Sequence, residues 1–207
     1  MFMKCGIRNA VLWCFTGVFI VAAGVVAAAG QRVLLDPSTP KREIAGMNPS
    51  EVDPSLLPLD PVENLNTTGV PPAVDIETWR LTVGGKKARK PLSLSYTDLQ
   101  SMKQVKKRVI LICPNVFVDY AEWEGVPLKD ILETAKIGNG FTKVSIRSVD
   151  GYSSSFTKEQ VQNNLLFLAL KVNGQVLPKE HGFPVRLVAE DILGYSWVKW
   201  IASIKVE

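Results

Sequence analysis

The chain has 207 residues, of which 46% are hydrophobic and 21% charged, and its formal net charge is +4 at pH 7. These values are ordinary for a globular protein and exclude a chain that is disordered throughout. The basic residues concentrate at 86–90 and 103–108, without a nucleic-acid-reading motif, so we expect no nucleic-acid partner. The one histidine and the three cysteines (Cys5, Cys14 and Cys113) argue against a zinc site.

Residues 10–29 are twenty consecutive uncharged residues, and Lys4 and Arg8 precede them. This length is sufficient for a membrane-spanning helix, and the alanines at 27–29 are typical of a signal-peptide cleavage site. We therefore predict an N-terminal transmembrane or signal helix over 1–29, which is either an uncleaved anchor or cleaved to give a secreted form. The positive charges before the apolar run favour a cytoplasmic N-terminus, so the rest of the chain is predicted to be membrane-anchored on the extracytoplasmic (periplasmic) side.

Prolines are frequent in the next part of the chain, because residues 30–72 contain eight of the thirteen. The apolar residues there show little helical or strand periodicity, and such a segment has too few of them to fold alone. The sequence therefore predicts an extended, proline-rich tether over 30–65. The domain proper is predicted over 66–207.

Strands outnumber helices in the predicted domain, and the two types alternate irregularly. Ser95 and Asp98 form a capping-box pattern that opens a helix ending near Met102, and Asn173-Gly174 is typical of a tight hairpin turn. The patterns predict strands at 79–83, 90–94, 108–113, 143–149, 152–156, 165–172, 184–189 and 196–206, helices at 95–102, 125–137 and 157–164, and a turn at 84–85. The predicted fold class is α+β, with mixed β-sheets and short helices.

Cys113 stands at the end of a continuous apolar run that predicts a strand buried on both faces. Pro114 follows it, so the chain leaves the sheet there, and scaffolds commonly present reactive groups where a strand enters a loop. The residues alone leave two interpretations for this cysteine. It is either a small buried hydrophobic side chain or a reactive thiolate that can bind a metal.

A second candidate cluster contains one imidazole, one guanidinium and one ammonium group, from His181, Arg186 and Lys199 on neighbouring predicted strands. Arg186 alternates with Val185 and Leu187, so its side chain is expected on the opposite face of the strand. The planar guanidinium suits phosphate. The alternative is that Arg186 and Lys199 are exposed strand residues and His181 belongs to a turn.

Five segments follow one another in an order that is specific to one family: WRLTVGG with KPLSLSYTDL, ICPNVFVDYAEWEGVPLKDIL, SVDGYSSSF, VNGQVLPKEHGFPVRLV and GYSWVKWIASIKV. In this set the chain resembles the molybdopterin domain of sulfite oxidases, and most of all its small bacterial single-domain members. The resemblance covers about residues 66–207. It implies a sulfite oxidase-type molybdopterin-binding fold, and a cofactor whose pterin dithiolene and one protein cysteine bind molybdenum.

The resemblance also implies roles for individual residues. Cys113 falls on the metal-ligating cysteine, and residues 123–128 match the family's W-x-G-V-P-L. His181 and Arg186 fall on the His and Arg of H-G-x-P-x-R, which contact the pterin and its phosphate, and Lys199 falls on the lysine of V-K-W. A thiolate suits a metal already bound by sulfur. The implied cofactor contacts are Asn66, Cys113, Asp150, His181, Arg186 and Lys199.

The function implied by this resemblance is molybdopterin-dependent oxidation or reduction, by oxygen-atom transfer to or from a small-molecule substrate. The candidate catalytic residues are Cys113, as the metal ligand, and Asn115, Asp119 and Tyr120, as substrate contacts in the predicted loop after it. The sequence has no haem or flavin motif, so electrons are expected to pass to or from a separate partner, such as a membrane redox protein. The alternative is a membrane-tethered binding module with the same fold that has lost the cofactor.

Three features depart from sulfite oxidases. Arginines follow the cysteine in those enzymes, whereas residues 114–117 are Pro, Asn, Val and Phe. The sequence ends at Glu207, without their immunoglobulin-like dimerisation domain, so sulfite is not the expected substrate. No twin-arginine pair precedes residue 10, although exported molybdoenzymes usually carry one. Three interpretations follow: a cofactor site facing the cytoplasm, an export signal on a partner, or a domain without cofactor.

Overall fold

The computed structural model describes residues 31–138 and 140–207. Within these residues, no helix combines the length and the apolar character that are needed to cross a membrane. The transmembrane or signal helix predicted over 1–29 lies outside the described residues.

Strands and short helices alternate along the described chain. The elements are β1 (Val33–Leu34), α1 (Lys41–Ile44), β2 (Val52–Asp53), β3 (Leu81–Gly85), β4 (Leu92–Leu94), α2 (Tyr96–Ser101), β5 (Val105–Cys113), β6 (Phe117–Pro127), α3 (Leu128–Thr134), β7 (Lys143–Ser148), β8 (Ser153–Thr157), α4 (Lys158–Gln162), β9 (Leu166–Val172), β10 (Gln175–Val176), β11 (Arg186–Ala189) and β12 (Ile201–Val206). Single 3-10 turns lie at Pro49–Glu51, Val62–Asn64, Lys179–His181 and Gly194–Ser196.

Two five-stranded sheets carry most of the chain. One has the order β10-β9-β6-β5, with β11 also paired to β9, and the other has the order β4-β3-β12-β7-β8. β3 and β12 pair in parallel, whereas their outer neighbours pair antiparallel. β1 and β2 form a small parallel pair. The predicted α+β class with mixed sheets and short helices is therefore confirmed.

Local sequence signals explain several elements. Ser95 caps α2 by accepting from the backbone N–H of Asp98, whose carboxylate accepts in return from the Ser95 backbone, so the predicted capping box is confirmed. Asn173 and Gly174 have φ values of 47° and 78° and join β9 to β10, as the hairpin prediction required. The predicted turn at 84–85 was wrong, because both glycines continue β3 and the turn comes after them.

The stretch after Cys113 differs most from the prediction. A loop was expected there, followed by a helix from residue 125, but β6 runs from Phe117 to Pro127 and the helix begins at Leu128. Charged residues at 119, 122 and 124 interrupt the apolar pattern that marks a strand. β6 forms because its residues 117–125 pair with β5 and its residues 123–127 pair with β9.

Residues 31–65, the described part of the predicted tether, fold against the sheet instead of extending away from it. Leu35, Ile44, Ala45 and Val52 are buried against a set of β5 and β6 side chains, and we call the whole group the outer cluster: Leu35, Ile44, Ala45, Val52, Ile110, Ile112, Val118 and Tyr120. The prediction of an extended segment missed these apolar residues because their spacing follows neither helix nor strand periodicity.

The β5–β6 hairpin therefore has two buried faces. Ile110, Ile112, Val118 and Tyr120 point into the outer cluster. The alternate residues point to the opposite face, because successive side chains of a strand alternate. Cys113 belongs to that second face, where the candidate site lies.

Candidate functional site

A cavity of about 380 Å³ is enclosed by segments that are far apart in sequence. Its wall includes residues 66–69, the ends of β5 and β6, the turn after β7, Arg186 of β11, and residues 194–200. Of the residues proposed from sequence, it brings together Asn66, Cys113, Asp150, Arg186 and Lys199. This volume lies within the range of roughly 300–1,000 Å³ that is usual for small-molecule sites.

Cys113 lies on the cavity wall as the last residue of β5, opposite Phe117 at the start of β6. The turn between them is closed by Asn115 in the left-handed region, with φ of 58°. Burial raises the pKa of the Cys113 thiol, and the negative charge of Asp119 raises it further. The free thiol is therefore protonated at neutral pH, and a bound metal ion would be needed to ionise it.

Arg186 is a buried cation, with 5% of its surface exposed. Its guanidinium lies 4.6 Å from the ring centre of Trp123 and 5.5 Å from that of Trp197. One nitrogen donates to the carbonyl of His181 at 3.2 Å, while Nε has no hydrogen-bond partner in the described part of the chain. Burial lowers the pKa of Arg186 to about 10, and the Asp119 charge opposes that shift. Arg186 is therefore not the exposed strand residue of the alternative interpretation, because all four residues of β11 are buried.

Lys199 approaches the same cavity from the segment before β12. Its Nζ donates to the backbone carbonyls of Thr68 and, at 3.0 Å, Glu180, and it lies 4.4 Å from the ring centre of Trp200. Burial lowers the pKa of Lys199 to about 8, and the nearby positive charge of Arg186 adds to the shift. Two cations thus face one cavity, a costly arrangement without an anion between them.

Gly182 explains how the two cations come together. A Cβ built on this glycine would lie 2.8 Å from the Cβ of Arg186 and 3.3 Å from that of Lys199. Its φ of 113° also favours glycine. The glycine of the H-G-x-P-x-R motif therefore allows the side chains of Arg186 and Lys199 to pack closely against this turn.

His181 and the three proposed substrate contacts are placed elsewhere. His181 is buried beside the cavity wall, and burial, followed by the charges of Arg186 and Lys199, lowers the pKa of its imidazole, which stays neutral. Asn115 is exposed in the turn after Cys113, with its backbone N–H bonded to the carbonyl of Ala45. Its side chain is not among the groups of the described residues that line the cavity.

Asp119 and Tyr120 lie on β6, not in a loop as predicted, and point in opposite directions. Tyr120 belongs to the outer cluster, on the far side of the hairpin from Cys113. Asp119 is only 3% exposed, behind the cavity wall, where its carboxylate accepts hydrogen bonds from Asn66. Burial raises the pKa of the Asp119 carboxyl, while the bonds from Asn66 lower it.

Sequence reasoning missed the aromatic part of the wall. Tyr152, Tyr195, Trp197 and Trp200 all line the cavity, and the Tyr152 hydroxyl donates to the carbonyl of Tyr195. These residues stand in the segments SVDGYSSSF and GYSWVKW, beside Asp150 and the lysine that the resemblance did identify. Their position next to the proposed cofactor contacts was therefore the signal that could have indicated them.

A family model described as "Oxidoreductase molybdopterin binding domain" matches residues 67–207. The chain belongs to this family. The predicted family is therefore confirmed. Two further predictions are confirmed with it: the protein is an oxidoreductase of the molybdopterin-binding family, and its cofactor is molybdopterin with molybdenum.

Curated relatives support the assignment to this oxidoreductase family. The rat mitochondrial sulfite oxidase is 28% identical over 165 residues, which cover 66% of this chain and 30% of that protein. The sulfite oxidase of Arabidopsis thaliana is 26% identical over 214 residues, covering 82% and 54% respectively. The uncharacterized oxidoreductase YuiH of Bacillus subtilis is 27% identical over 142 residues, covering 68% and 71%. The chain therefore spans about a third to a half of the length of these sulfite oxidases.

A solved structure shows the same fold. The sulfane dehydrogenase SoxCD of Paracoccus pantotrophus superposes with a TM-score of 0.61 at 24% identity, covering 66% of this chain and 40% of the SoxCD chain. The predicted sulfite oxidase-type fold of this molybdopterin-binding domain is thereby confirmed.

The donor groups of the cavity fit the family's cofactor. Cys113 offers a soft sulfur ligand, which suits a metal that is already bound by sulfur. Among the described residues, the buried Nε of Arg186 has no hydrogen-bond partner, and Lys199 lies close to Arg186 with a lowered pKa. An anionic phosphate between these groups would offset the cost of burying the two cations.

Proposed function

We propose that this protein catalyses oxygen-atom transfer to or from a small molecule at molybdenum held by molybdopterin and by the Cys113 thiolate. The observation that carries the proposal is that one cavity wall presents a thiol together with two buried or half-buried cations, Arg186 and Lys199. Bound molybdopterin with molybdenum would supply the two-electron redox chemistry. The chain's own residues would hold and orient this group.

The roles follow from the geometry of each side chain. Arg186 lines the cavity and is held by Trp123 and by the His181 carbonyl, so its guanidinium is placed to donate to a phosphate there. Lys199 would add a second donor. His181, neutral and buried, would position this region through its backbone rather than as an acid. Asn66 and Asp150, which also line the cavity, would complete the cofactor contacts.

Electron balance requires an electron donor or acceptor outside the cavity. Oxidation of a substrate by oxygen-atom transfer takes the oxygen from water and releases two electrons and two protons, and reduction runs the reverse way. We propose that a separate electron-transfer partner exchanges these electrons with the site, since the sequence has no haem or flavin motif. We also predict that the N-terminal apolar segment anchors the protein on the periplasmic side, where this partner would dock. Membrane fractionation of the full chain tests the anchor.

The test uses protein purified with its cofactor and a reduced viologen dye as the electron donor. Sulfoxides and amine N-oxides are added one at a time, and reduction of a substrate should oxidise the dye. The opposite direction is tested with sulfite and an oxidised dye, which oxidation of sulfite would reduce. Cys113→Ser should abolish turnover while the circular dichroism spectrum stays unchanged, because oxygen is a poorer ligand than sulfur for this metal. Full activity of metal-loaded Cys113→Ser would contradict the proposal. The alternative, a binding module without cofactor, requires purified protein that contains no molybdenum.

A further inference from the structure

The carboxylate of Asp119 is buried just behind the cavity wall and has a single set of partners. The backbone N–H of Asn66 donates to both of its oxygens at 3.1 Å, and the Asn66 side-chain Nδ2 donates to Oδ1 at 2.7 Å. These are the hydrogen bonds of this carboxylate within the described residues. A buried carboxylate is costly unless donors satisfy it, so the three contacts explain why it is tolerated there.

The partner, Asn66, begins an irregular loop, residues 66–69, three members of which line the cavity: Asn66, Thr68 and Gly69. We call these residues the 66–69 loop. The carbonyl of Thr68 accepts from Lys199. Gly69 lies against Trp200, since a Cβ built on it would be 3.4 Å from the indole ring. The loop is therefore held at one end by Asp119 and at the other by the Lys199–Trp200 pair.

We propose that Asp119 is a positioning residue, which fixes the 66–69 loop as a wall of the cofactor cavity by acting through Asn66. This inference rests on the proposed function, because the wall matters only if the cavity holds the cofactor. Asp119 is itself firmly anchored, since it belongs to β6, which pairs with β5 on one side and β9 on the other. Asp119 therefore fixes the 66–69 loop relative to the sheet, and this loop has no strand partner among the described residues.

A carboxylate suits this position better than an amide. Both groups that Asn66 presents to it are N–H donors, and a carboxylate offers two acceptor oxygens to them. An asparagine at 119 would offer one acceptor and turn its own NH₂ toward a donor. The structure therefore distinguishes Asp119→Asn, which keeps one acceptor, from Asp119→Ala, which keeps none.

The experiment first measures deuterium uptake of the peptide spanning the 66–69 loop in cofactor-free protein. Asp119→Ala should speed exchange about tenfold and Asp119→Asn by less, because local opening becomes easier as the anchor is lost. Glu122→Ala is the matched control. Glu122 lies on the same strand and forms ion pairs at the surface with Lys106 and Arg108, so its replacement should leave exchange in the 66–69 loop unchanged. This readout is independent of activity.

The second measurement is the rate at which cofactor dissociates from the loaded variants. Asp119→Ala and Asn66→Ala should each speed it, and Asp119→Ala should have a smaller effect in the Asn66→Ala background than in wild type, because one of the three hydrogen bonds between the two residues is then already lost. Additive effects, or unchanged loop exchange in both Asp119 variants, would overturn the positioning role. If wild-type protein contains no molybdenum, the proposed function fails, while the exchange measurement still decides whether Asp119 fixes the loop.

Discussion

Arg186 is the residue whose environment is hardest to explain without an anion. Its guanidinium is buried, its one hydrogen bond in the described part of the chain goes to an uncharged carbonyl, and its pKa is lowered to about 10 by burial. Replacing a buried and poorly compensated charge by an apolar side chain is often neutral or stabilising, by roughly 1–4 kcal/mol. We therefore expect the side chain to serve the binding of an anion rather than folding.

We predict that Arg186→Met leaves the thermal stability of the cofactor-free protein unchanged or raises it, and lowers the pterin content per chain at least about tenfold. Arg186→Lys should recover only part of the content, because an ammonium cannot reproduce the guanidinium fork. Thermal melts of the cofactor-free variants and pterin assays of the purified proteins measure both effects. A much lower melting temperature with full pterin content would show that Arg186 is structural.

The lowered pKa of Lys199 predicts how the free energy of unfolding of the cofactor-free protein depends on pH. Its folded pKa is lowered from 10.5 to about 8, first by burial and then by Arg186. Between these values the unfolded chain binds a proton that the folded cofactor-free protein does not, so the free energy of unfolding should rise with pH from about 8. Denaturant titrations at pH 7 and 9.5 should show this rise in wild type and lose most of it in Lys199→Met. An equal pH dependence in both proteins would refute the assignment.

Five of the fifteen described residues that line the cavity could be predicted at this scale, and the reason is local. Cys113, Arg186 and Lys199 lie within short patterns of fixed spacing, so a resemblance places them residue by residue. Asp119 and Tyr120 could not be placed, because their roles depend on strand pairing and on which face of β6 is covered by residues 31–65. Neither fact is encoded in the neighbouring residues.

At the scale of elements, the packing of residues 31–65 can be tested, because the sequence predicted an extended tether there and the structure shows a segment that folds against the sheet. Leu35 is 1% exposed in the outer cluster, whereas the neighbouring Leu34 is 54% exposed. We predict that Leu35→Ala lowers the free energy of unfolding by ~2–5 kcal/mol, and that Leu34→Ala changes it by less than ~0.5 kcal/mol. Urea titration of both variants measures the difference. Equal, negligible effects would mean that the segment extends away from the sheet in solution.

The β6–β9 pairing depends on a glycine that the family motif also contains. A Cβ on Gly125 would lie 1.9 Å from the carbonyl oxygen of Leu168, at the register shift between the two strands. Gly125→Ala should therefore cost ~3 kcal/mol or more. Gly84→Ala is the control, because a Cβ there meets nothing within 4 Å, and it should change stability by less than ~1 kcal/mol. Similar melting temperatures for the two variants would contradict this close approach.

Elements with strong local signals were predictable, and those shaped by tertiary contacts were not. The capping box of α2 and the Asn173-Gly174 turn depend on residues that are adjacent in sequence. β6 carries charged residues at 119, 122 and 124, and the last two form ion pairs with basic side chains of β5 and β9. The partner strands therefore stabilise a segment whose own pattern predicts a loop.

On the scale of the whole molecule, the candidate site exists only because both large sheets contribute to one cavity. β5 and β11 supply Cys113 and Arg186, while the turn after β7 and the segment before β12 supply Asp150 and Lys199. Family resemblance could predict these partners, since it carries the whole fold with it. Periodicity alone could not, because the contacts join segments that are far apart along the chain.

We propose that Cys113 binds molybdenum in this protein, and X-ray absorption at the molybdenum edge counts the sulfur ligands of the metal. Samples of wild type and Cys113→Ser are compared at equal pterin content, so that the cofactor's own sulfur ligands are matched. We predict a molybdenum signal in both and one fewer sulfur ligand in Cys113→Ser, because serine replaces sulfur with oxygen. The same sulfur count in the two proteins, or wild-type protein that holds pterin without molybdenum, would contradict the claim.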